Sequence, residues 1–514
     1  MALGLRLWGI GFGLPDLDHP DEPAYVLQAL AVGRGLPDGL TFANPPLFKY
    51  LLLVEYAADF GLRRLAGSTR SAQDFVDQFR ADPTQLYLIA RGTSALVGAL
   101  TALAAFGLGS AVGGRRAGLI AGWLTAVTYL LARDSHFGVN DALVTLLVTL
   151  GLVFCVRVAR GGGRADYLLA GVLAGLAFAA KYQGIALLVP LVVAHTLRAA
   201  TRRRPDLGIG LAGCLVATVL AFPSLVTETG RVLHDIYLHL WLAAVGGYDG
   251  LDPAGGYSFY ARSLVIGLGW PLLAAAMFGV LLGLKTRNQS MLVVVALPIS
   301  VLAVLGAQQL YFARFLLPVI PVLVVAAALA LDTLIAPLPA LGLAALLIAT
   351  PSLVDVVRFD ALLSREDTRA LARDWVASSL PAGATLAVDS APLGPSLSGE
   401  NAHQVLVADT WSLFDLTPAD YRARGVEYLV VSSFTSEVRA VDPERDARRV
   451  AFYAALPAEA SAVAQFRPFA ADREPPFLYD QIYGPFNGLD QLERPGPTVT
   501  VYRFNFNAEP GTPP

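Results

Sequence analysis

The chain has 514 residues, of which 55% are hydrophobic and 15% charged, and its mean hydropathy is +0.55. These values exclude an ordinary soluble protein and predict a polytopic α-helical membrane protein. The formal net charge of −3 argues against a nucleic-acid partner. Cys155 and Cys214 both fall in predicted membrane spans, so two buried thiols are a better interpretation than a disulfide.

The first element, MALGLRLWGIGFGL, predicts a membrane anchor that is short for a span, which needs roughly 20 residues. Either the true start lies upstream or this helix is tilted, and no signal-peptide cleavage site follows it. Next comes the acidic loop LDHPDEPAY at 17–25, where two prolines exclude a continuous helix and Pro23 is placed to start the next one. Its adjacent acids, Asp21 and Glu22, fit either an acidic helix N-cap at a membrane surface or a catalytic carboxylate.

The loop 15–85 contains two segments with helical spacing, 23–34 and 46–66, which we expect to lie along the membrane surface. Counted with the N-terminal anchor, the apolar runs predict about eleven transmembrane helices. The ten runs after the loop are 86–108, 117–133, 141–159, 166–180, 184–198, 207–226, 263–284, 290–306, 313–335 and 338–357.

Basic residues in the short loops predict the orientation of these spans. Four groups fall in alternate loops and can all be cytoplasmic: Arg115 and Arg116; Arg157, Arg160 and Arg164; Arg198 and Arg202–Arg204; Lys285 and Arg287. The 15–85 loop, the RDSHFGVND and KYQG turns, the 227–262 loop, the QQLYFAR turn and the tail are then extracytoplasmic. We expect the protein in the plasma (inner) membrane of a bacterium.

The tail differs from the rest of the chain. Short β-type runs (TLAVDSA, HQVLVAD, YLVVSS, TVTVYRF) alternate with helical stretches between 358 and 514. This pattern predicts a small extracytoplasmic α/β domain that follows a membrane domain at 1–357.

Ionisable residues are costly at membrane level, and here they gather at the extracytoplasmic helix ends. They are Asp21, Glu22, Lys49, Arg133, Asp134, His136, Asp141, Lys181 and Arg314. Such a mixture suits an enzyme whose substrate carries a phosphate, since arginine and lysine bind the phosphate and a carboxylate can take a proton. No metal motif stands out, and a divalent ion is left open.

Each of these residues also has an interpretation without chemistry. Asp141 can cap a helix, and Lys181 and Arg314 can extend towards the membrane surface. His136 is more often a buried, hydrogen-bonded histidine than a ligand. Asp21 is the strongest catalytic candidate, because neighbouring acids repel one another unless cations or protons compensate them.

Two segments, HPDEPAY and FANPPLFKYLL, resemble the first extracytoplasmic loop of the protein O-mannosyltransferase and aminoarabinose-transferase group, glycosyltransferase family 39. RDSHFGVND and YFARFLLPVIP are similar to later segments of that family. The resemblance covers roughly residues 1–355. It implies a GT-C fold and an inverting transferase that takes a sugar from a polyprenyl-phosphate donor at the extracytoplasmic face.

The resemblance also implies roles for individual residues. Asp21 matches the catalytic general base and Glu22 its supporting neighbour, while Lys49 and Arg314 match residues near the donor phosphate. Lys181 and Asn44 are further candidates for binding the phosphate, and Asp141, His136 and Tyr25 for the acceptor or for support. Asn44 departs from the family, whose members carry histidine or lysine there. The tail lacks the family's inserted β-trefoil domain, which argues against protein O-mannosylation.

Two other functions fit the same spans. A lipid or solute transporter predicts charges near the bilayer midplane, whereas these charges gather at one face. A non-catalytic envelope assembly scaffold would keep its function without Asp21. The sequence does not identify the sugar or the acceptor, and a lipid, a glycan and a protein all remain open as acceptors.

Overall fold

In the computed structural model the described residues are 1–35, 41–198, 205–247, 251–252, 255–397, 404–407, 413–438, 446–470 and 473–505. They divide into two compact units. The first contains Met1–Ile10, Asp21–Gly247 and Pro253–Asp360, and the second contains Gly11–Pro20, Tyr248–Asp252 and Ala361–Pro514. Of the basic groups used to predict the orientation, Arg202–Arg204 lie outside the described residues.

The first unit is helical. Its α-helices are α1 (Ala2–Leu7), α2 (Glu22–Gly33), α3 (Leu47–Leu65), α4 (Ala72–Ala81), α5 (Thr84–Gly113), α6 (Arg115–Val127), α7 (Tyr129–Arg133), α8 (Asp141–Ala159), α9 (Arg164–Ala180), α10 (Leu188–Leu197), α11 (Pro205–Ala221), α12 (Ser224–Thr227), α13 (Thr229–Trp241), α14 (Gly256–Leu268), α15 (Trp270–Lys285), α16 (Gln289–Leu305), α17 (Ile320–Leu334) and α18 (Leu338–Leu363). Short 3₁₀ turns precede α10 and α17, at Tyr182–Leu187 and Ala313–Leu316, and a π turn follows α13 at Leu242–Gly246.

Few of these helices have the length of a full span. Within the described ranges, α5, α8 and the helix that begins at Leu338 are long and apolar enough to cross a membrane. The pair α14 and α15 qualifies as one bent span, with 111° between its halves. The predicted count of about eleven spans stays a prediction.

Several predicted spans are interrupted at the ends that carry the candidate site. The run 117–133 is divided into α6 and α7, and the segment starting at 313 begins as a 3₁₀ turn before α17. Irregular backbone of this kind lies in membrane proteins where it borders a cavity or is buried in protein. The N-terminal anchor is also shorter than predicted, since only Ala2–Leu7 is α-helical.

Small residues let neighbouring helices of the first unit approach closely. On α9, a side chain at Gly171 would lie 1.8 Å from the carbonyl oxygen of Gly210 on α11. Gly175 faces the backbone of Cys214 in the same way, at 2.3 Å. Cys155 and Cys214 are both buried free thiols, as the sequence predicted.

The second unit holds a five-stranded sheet with the strand order β2-β1-β3-β5-β4. The strands are β1 (Thr385–Val388), β2 (Gln404–Val407), β3 (Tyr428–Ser432), β4 (Ala460–Phe466) and β5 (Val499–Phe504). β1 pairs in parallel with β2 and β3, whereas β5 is antiparallel to both β3 and β4. Four helices accompany the sheet: α19 (Thr368–Ser379), α20 (Pro418–Ala423), α21 (Ser433–Ser436) and α22 (Ala447–Glu459).

Apolar side chains cover both faces of this sheet. Leu386 and Val430 pack with Val376 of α19, while Leu429 and Val431 pack with Phe452 of α22. β3 is buried along its whole length, as expected for a central strand covered on both sides. β4 was not predicted, because alanine, serine and glutamine dominate its sequence ASAVAQF.

The acidic loop begins in the second unit. Asp18 pairs with Arg369 of α19 at 3.5 Å, and both side chains are buried. Asp16 pairs with Arg373 one turn further along the same helix. These two acids therefore have structural partners, whereas Asp21 and Glu22 belong to the first unit.

Candidate active site

Asp21 lies at the end of the acidic loop, where α2 begins. As predicted, a proline (Pro23) stands in the first turn of α2. The Asp21 carboxylate lies 3.0 Å from a terminal nitrogen of Arg314, and the two side chains are 36% and 11% exposed. Arg314 belongs to the 3₁₀ turn before α17, and its guanidinium lies over the ring of Phe312 at 4.3 Å. Arg314 is thus held by its turn and by the ring of Phe312, whereas the Asp21 side chain is accessible to solvent.

A second ion pair joins the start of α8 to the end of α9. Lys181 directly follows α9, and its amine lies 2.5 Å from Asp141, the first residue of α8. The amine also lies 4.6 Å from the ring centre of Phe315, beside which Arg314 sits at 5.8 Å. Lys181 and Arg314 therefore approach the same aromatic ring.

Tyr25 lies close to the carboxylates of both ion pairs. It is buried one turn into α2, where its ring packs edge-on against Phe48. Burial and the nearby carboxylates of Asp141 and Asp21 raise the pKa of Tyr25 well above its ordinary value, so the phenol stays protonated at neutral pH. We name Asp21, Tyr25, Asp141, Lys181 and Arg314 the acid–base cluster. The structure brings these five predicted residues together.

Glu22 has a different environment from its neighbour Asp21. Its two carboxylate oxygens accept hydrogen bonds from Arg91 of α5 at 2.8 and 2.7 Å. One of them also accepts the backbone N–H of Gly138 at 2.6 Å. Glu22 is 1% exposed and Arg91 is fully buried. This contact fixes α2 to α5 and to the RDSHFGVND turn, so Glu22 supports the site and does not face it.

His136 is also buried away from the acid–base cluster. Its ring nitrogens face the carbonyl oxygens of Ala132 and Trp8 at 2.9 and 3.1 Å, and Nε2 lies 3.3 Å from Asp360. These contacts tie the turn to the N-terminal segment and to α18. Of the two roles predicted for His136, acceptor binding and support, support fits better, because the ring is fully enclosed by protein.

Lys49 and Asn44 do not join the acid–base cluster. The Lys49 amine donates hydrogen bonds to the backbone oxygens of Thr41 and Asn44, at 2.8 and 2.9 Å, and is 1% exposed. Burial, partly opposed by Asp235, lowers its pKa to about 7. Two backbone carbonyls accept hydrogen bonds from the amine, and a phosphate-binding role for Lys49 stays a prediction. Lys49 holds the loop that carries Asn44.

Arg91 and Asp360 were missed by the sequence analysis. Arg91 lies inside the 30-residue helix α5, where a charged residue is itself a signal of a buried partner. The sequence did not identify that partner. Among the residues that the structure describes, no group of three or more histidine, cysteine or acidic side chains is placed to hold a metal ion.

Comparison with known proteins agrees with this architecture. Residues 87–226 match the family model PMT_2, described as dolichyl-phosphate-mannose-protein mannosyltransferase. The structure of ArnT from Cupriavidus metallidurans bound to undecaprenyl phosphate superposes with a TM-score of 0.55 and 16% identity, over 99% of this chain and 98% of that one. The chain has the GT-C fold. The GT-C resemblance predicted from the sequence is thereby confirmed, and with it a polytopic membrane protein.

Two further structures were compared with this GT-C chain. ArnT from the same organism in the apo state has a TM-score of 0.54 and 17% identity, over 90% of this chain and 95% of that one. The oligosaccharyltransferase AglB from Archaeoglobus fulgidus, in complex with an inhibitory peptide and a dolichol-phosphate, scores only 0.47 at 13% identity, over 91% and 73%. This last likeness adds nothing to the fold assignment. No curated protein sequence matched the chain.

Proposed function

We propose that the protein is a membrane glycosyltransferase that moves a sugar from a polyprenyl-phosphate carrier to an extracytoplasmic acceptor. The observation that carries the proposal is the partly exposed ion pair of Asp21 and Arg314, next to the pair of Asp141 and Lys181. A carboxylate and two cations are the groups that this transfer requires. In the proposed orientation they face the outside of a bacterial inner membrane.

Within the acid–base cluster the charges balance before a substrate arrives. Two carboxylates, Asp21 and Asp141, face two cations, Lys181 and Arg314. A donor phosphate adds negative charge and competes with Asp21 for the guanidinium of Arg314, whose fork fits a phosphate in two-point contact. Donor binding then releases the Asp21 carboxylate, which becomes available as a base. The ion pair with Asp141 holds the Lys181 amine in place.

The transfer itself is a single displacement. Asp21 takes the proton of the acceptor hydroxyl, whose oxygen forms a bond to the anomeric carbon of the sugar. The bond between that carbon and the phosphate oxygen breaks, and its electron pair stays on the phosphate. Arg314 and Lys181 stabilise the negative charge that develops on the leaving polyprenyl phosphate. Attack opposite to the leaving group inverts the anomeric configuration.

The test is transfer of radiolabelled sugar from polyprenyl-phosphate donors in membranes that contain the wild type or Asp21→Asn. Loss of a general base lowers the rate by about 10²–10⁴-fold, and the neutral amide preserves the shape of the side chain. Asp77→Asn is the matched control, because Asp77 also pairs with an arginine, Arg80, but on the exposed surface of α4. Equal transfer by wild type and Asp21→Asn contradicts the proposal.

A further inference from the structure

A pocket opens in the second unit, where no function has yet been assigned. It lies between the residues that follow β3, the segment after β4 and the segment before β5. Its empty volume is about 470 Å³, the open mouth included. Three phenylalanines, Phe434, Phe469 and Phe477, line it together with several prolines. Most of the lining side chains are apolar or aromatic, as in most ligand pockets.

The walls of the pocket are held by backbone contacts on each side. Glu493 N–H donates to the carbonyl oxygen of Pro468 at 2.7 Å, and Phe469 pairs with Leu492 in an isolated β-bridge. Thr498 N–H donates to the hydroxyl of Ser433 at 3.0 Å. Prolines restrict the remaining backbone, because their ring fixes φ. The pocket is therefore formed before a ligand arrives, which lowers the entropic cost of binding.

The two carboxyl side chains that line this pocket, Glu437 and Glu474, are exposed, which places them at its mouth. The carboxyl groups of Glu437 and Glu474 lie within hydrogen-bonding reach of each other. Burial and the charge of Glu474 raise the pKa of Glu437 to about 7. In the described part of the chain, neither carboxyl forms an ion pair with a lysine or arginine. Arg494 lines the same pocket and supplies N–H donors.

We propose that this pocket binds a saccharide, with one sugar ring against the phenylalanines and its hydroxyls at the carboxyl pair and Arg494. A sugar ring has an apolar face of C–H groups and a rim of hydroxyls that both donate and accept hydrogen bonds. The aromatic wall of the pocket can pack against the apolar face of the ring, and the donors and acceptors at the mouth can bind the hydroxyls. Resting on the function proposed above, the saccharide bound here would belong to a glycan acceptor.

Other ligands fit the pocket less well. A hard divalent cation takes six or more oxygen ligands, and the described residues place only two carboxyl groups here. A purely apolar peptide segment would leave the two carboxyl groups and Arg494 without partners at its edge. A ligand with both an apolar face and many hydroxyl groups satisfies the wall and the mouth together.

The experiment measures saccharide binding directly, on the purified full-length protein in detergent. The probes are immobilised gluco-, manno-, galacto- and N-acetylglucosamine oligosaccharides. We expect retention on a subset of them, and at least tenfold weaker binding for Phe477→Ala and Glu474→Gln. Glu474 is exposed at the mouth, so its variant keeps the fold even if Phe477→Ala does not. Glu493→Gln is the control, because only the backbone of Glu493 holds the pocket wall.

The outcomes separate this inference from the proposed function. If no probe is retained by the wild type, or if Glu474→Gln binds as tightly as Glu493→Gln, the saccharide site is wrong, whatever the transfer assay gives. Asp21→Asn should still bind the probes, because the pocket lies wholly in the second unit. If Asp21→Asn transfers sugar normally while the probes still bind, the transfer function fails and the binding site stands.

Discussion

Asp21 and Glu22 are neighbours in sequence, and each is paired with one arginine, but the two pairs have different surroundings. The pair of Glu22 and Arg91 is sealed in protein, with 1% and 0% of the side chains exposed. The pair of Asp21 and Arg314 is reachable from outside, with the aspartate 36% exposed. In the proposed mechanism a substrate displaces Asp21 from its partner, whereas nothing can enter between Glu22 and Arg91. On that proposal accessibility, and not charge alone, separates the reactive carboxylate from the structural one.

The energies of the two pairs differ for the same reason. A solvent-exposed ion pair contributes about 0–1 kcal/mol, because water solvates both partners once they separate. Asp21 approaches this case, whereas its partner Arg314 is mostly buried. Removal of one partner from a buried pair costs about 3–5 kcal/mol, because the other charge remains without solvent. The site thus combines one ion pair that separates at a small cost in free energy, Asp21 and Arg314, with one that stays intact, Glu22 and Arg91. This arrangement suits a base that must be freed while its helix stays in place.

The largest expected effect comes from breaking the buried pair. We expect Arg91→Met to lower the free energy of unfolding by about 3–5 kcal/mol, because Glu22 is left buried without a counter-ion. Glu22→Gln in the Arg91→Met background should recover part of this loss, since it removes the orphaned charge. The measurement is unfolding of the purified variants in detergent, followed by circular dichroism.

Arg80→Met is the control for this prediction. Arg80 pairs with Asp77 on the surface, where the two side chains are 61% and 55% exposed. Its loss should change stability by less than about 1 kcal/mol. If Arg91→Met is as stable as Arg80→Met, the buried pair of Glu22 and Arg91 contributes no more to stability than a surface pair, and the prediction is wrong.

A smaller effect is expected from changing the exposed pair on its arginine side. We expect Arg314→Lys to raise the KM for the polyprenyl-phosphate donor on the order of 10–100-fold, because a point charge replaces a two-point fork. The stability should change little, since Asp21 is partly solvated. Steady-state kinetics with varied donor and saturating acceptor provide the measurement. An unchanged donor KM means that Arg314 does not bind the phosphate.

The sequence predicted the members of the acid–base cluster, but within a larger set that it could not divide. Asp21, Asp141, Lys181 and Arg314 all lie at the ends of apolar segments on one predicted face, and topology alone brings such ends together. Glu22, Lys49 and His136 shared that face and were predicted with them. The GT-C fold was predicted through motifs in the first loop.

Partners that lie far apart in the chain could not be predicted. Glu22 and Arg91 are separated by 69 positions. An arginine in an apolar segment predicts a buried acidic partner, but the sequence does not indicate which acidic residue it is. The hydrogen bonds of Lys49 could not be predicted for a related reason. Its spacing after Pro-Pro-Leu matched a phosphate-binding pattern, but hydrogen bonds to the carbonyls of Thr41 and Asn44 depend on the shape of the loop. Breaks in helices, such as the one between α6 and α7, have no strong local signal.

The last prediction concerns Lys49 and extends the comparison to a buried amine that donates hydrogen bonds to two backbone carbonyls. Burial lowers the pKa of Lys49 to about 7 in the folded protein, from about 10.4 in an unfolded chain. Between these pH values the unfolded chain binds a proton that the folded protein has released. The free energy of unfolding therefore rises with pH, by at most about 1.4 kcal/mol per unit from this group.

Lys49→Met removes this titration, so the wild type should gain stability relative to the variant as the pH rises from 7 to 10. Below pH 7 both forms of the wild-type chain hold the proton, and the difference between wild type and variant becomes constant. Lys285→Met is the control, because Lys285 is exposed at the end of α15 and its removal should leave the pH profile unchanged. Parallel profiles for wild type and Lys49→Met would mean that the Lys49 amine stays charged in the folded protein. In that case the carbonyls of Thr41 and Asn44 stabilise the ammonium more than burial disfavours it, and a role for Lys49 in balancing the donor phosphate is open again.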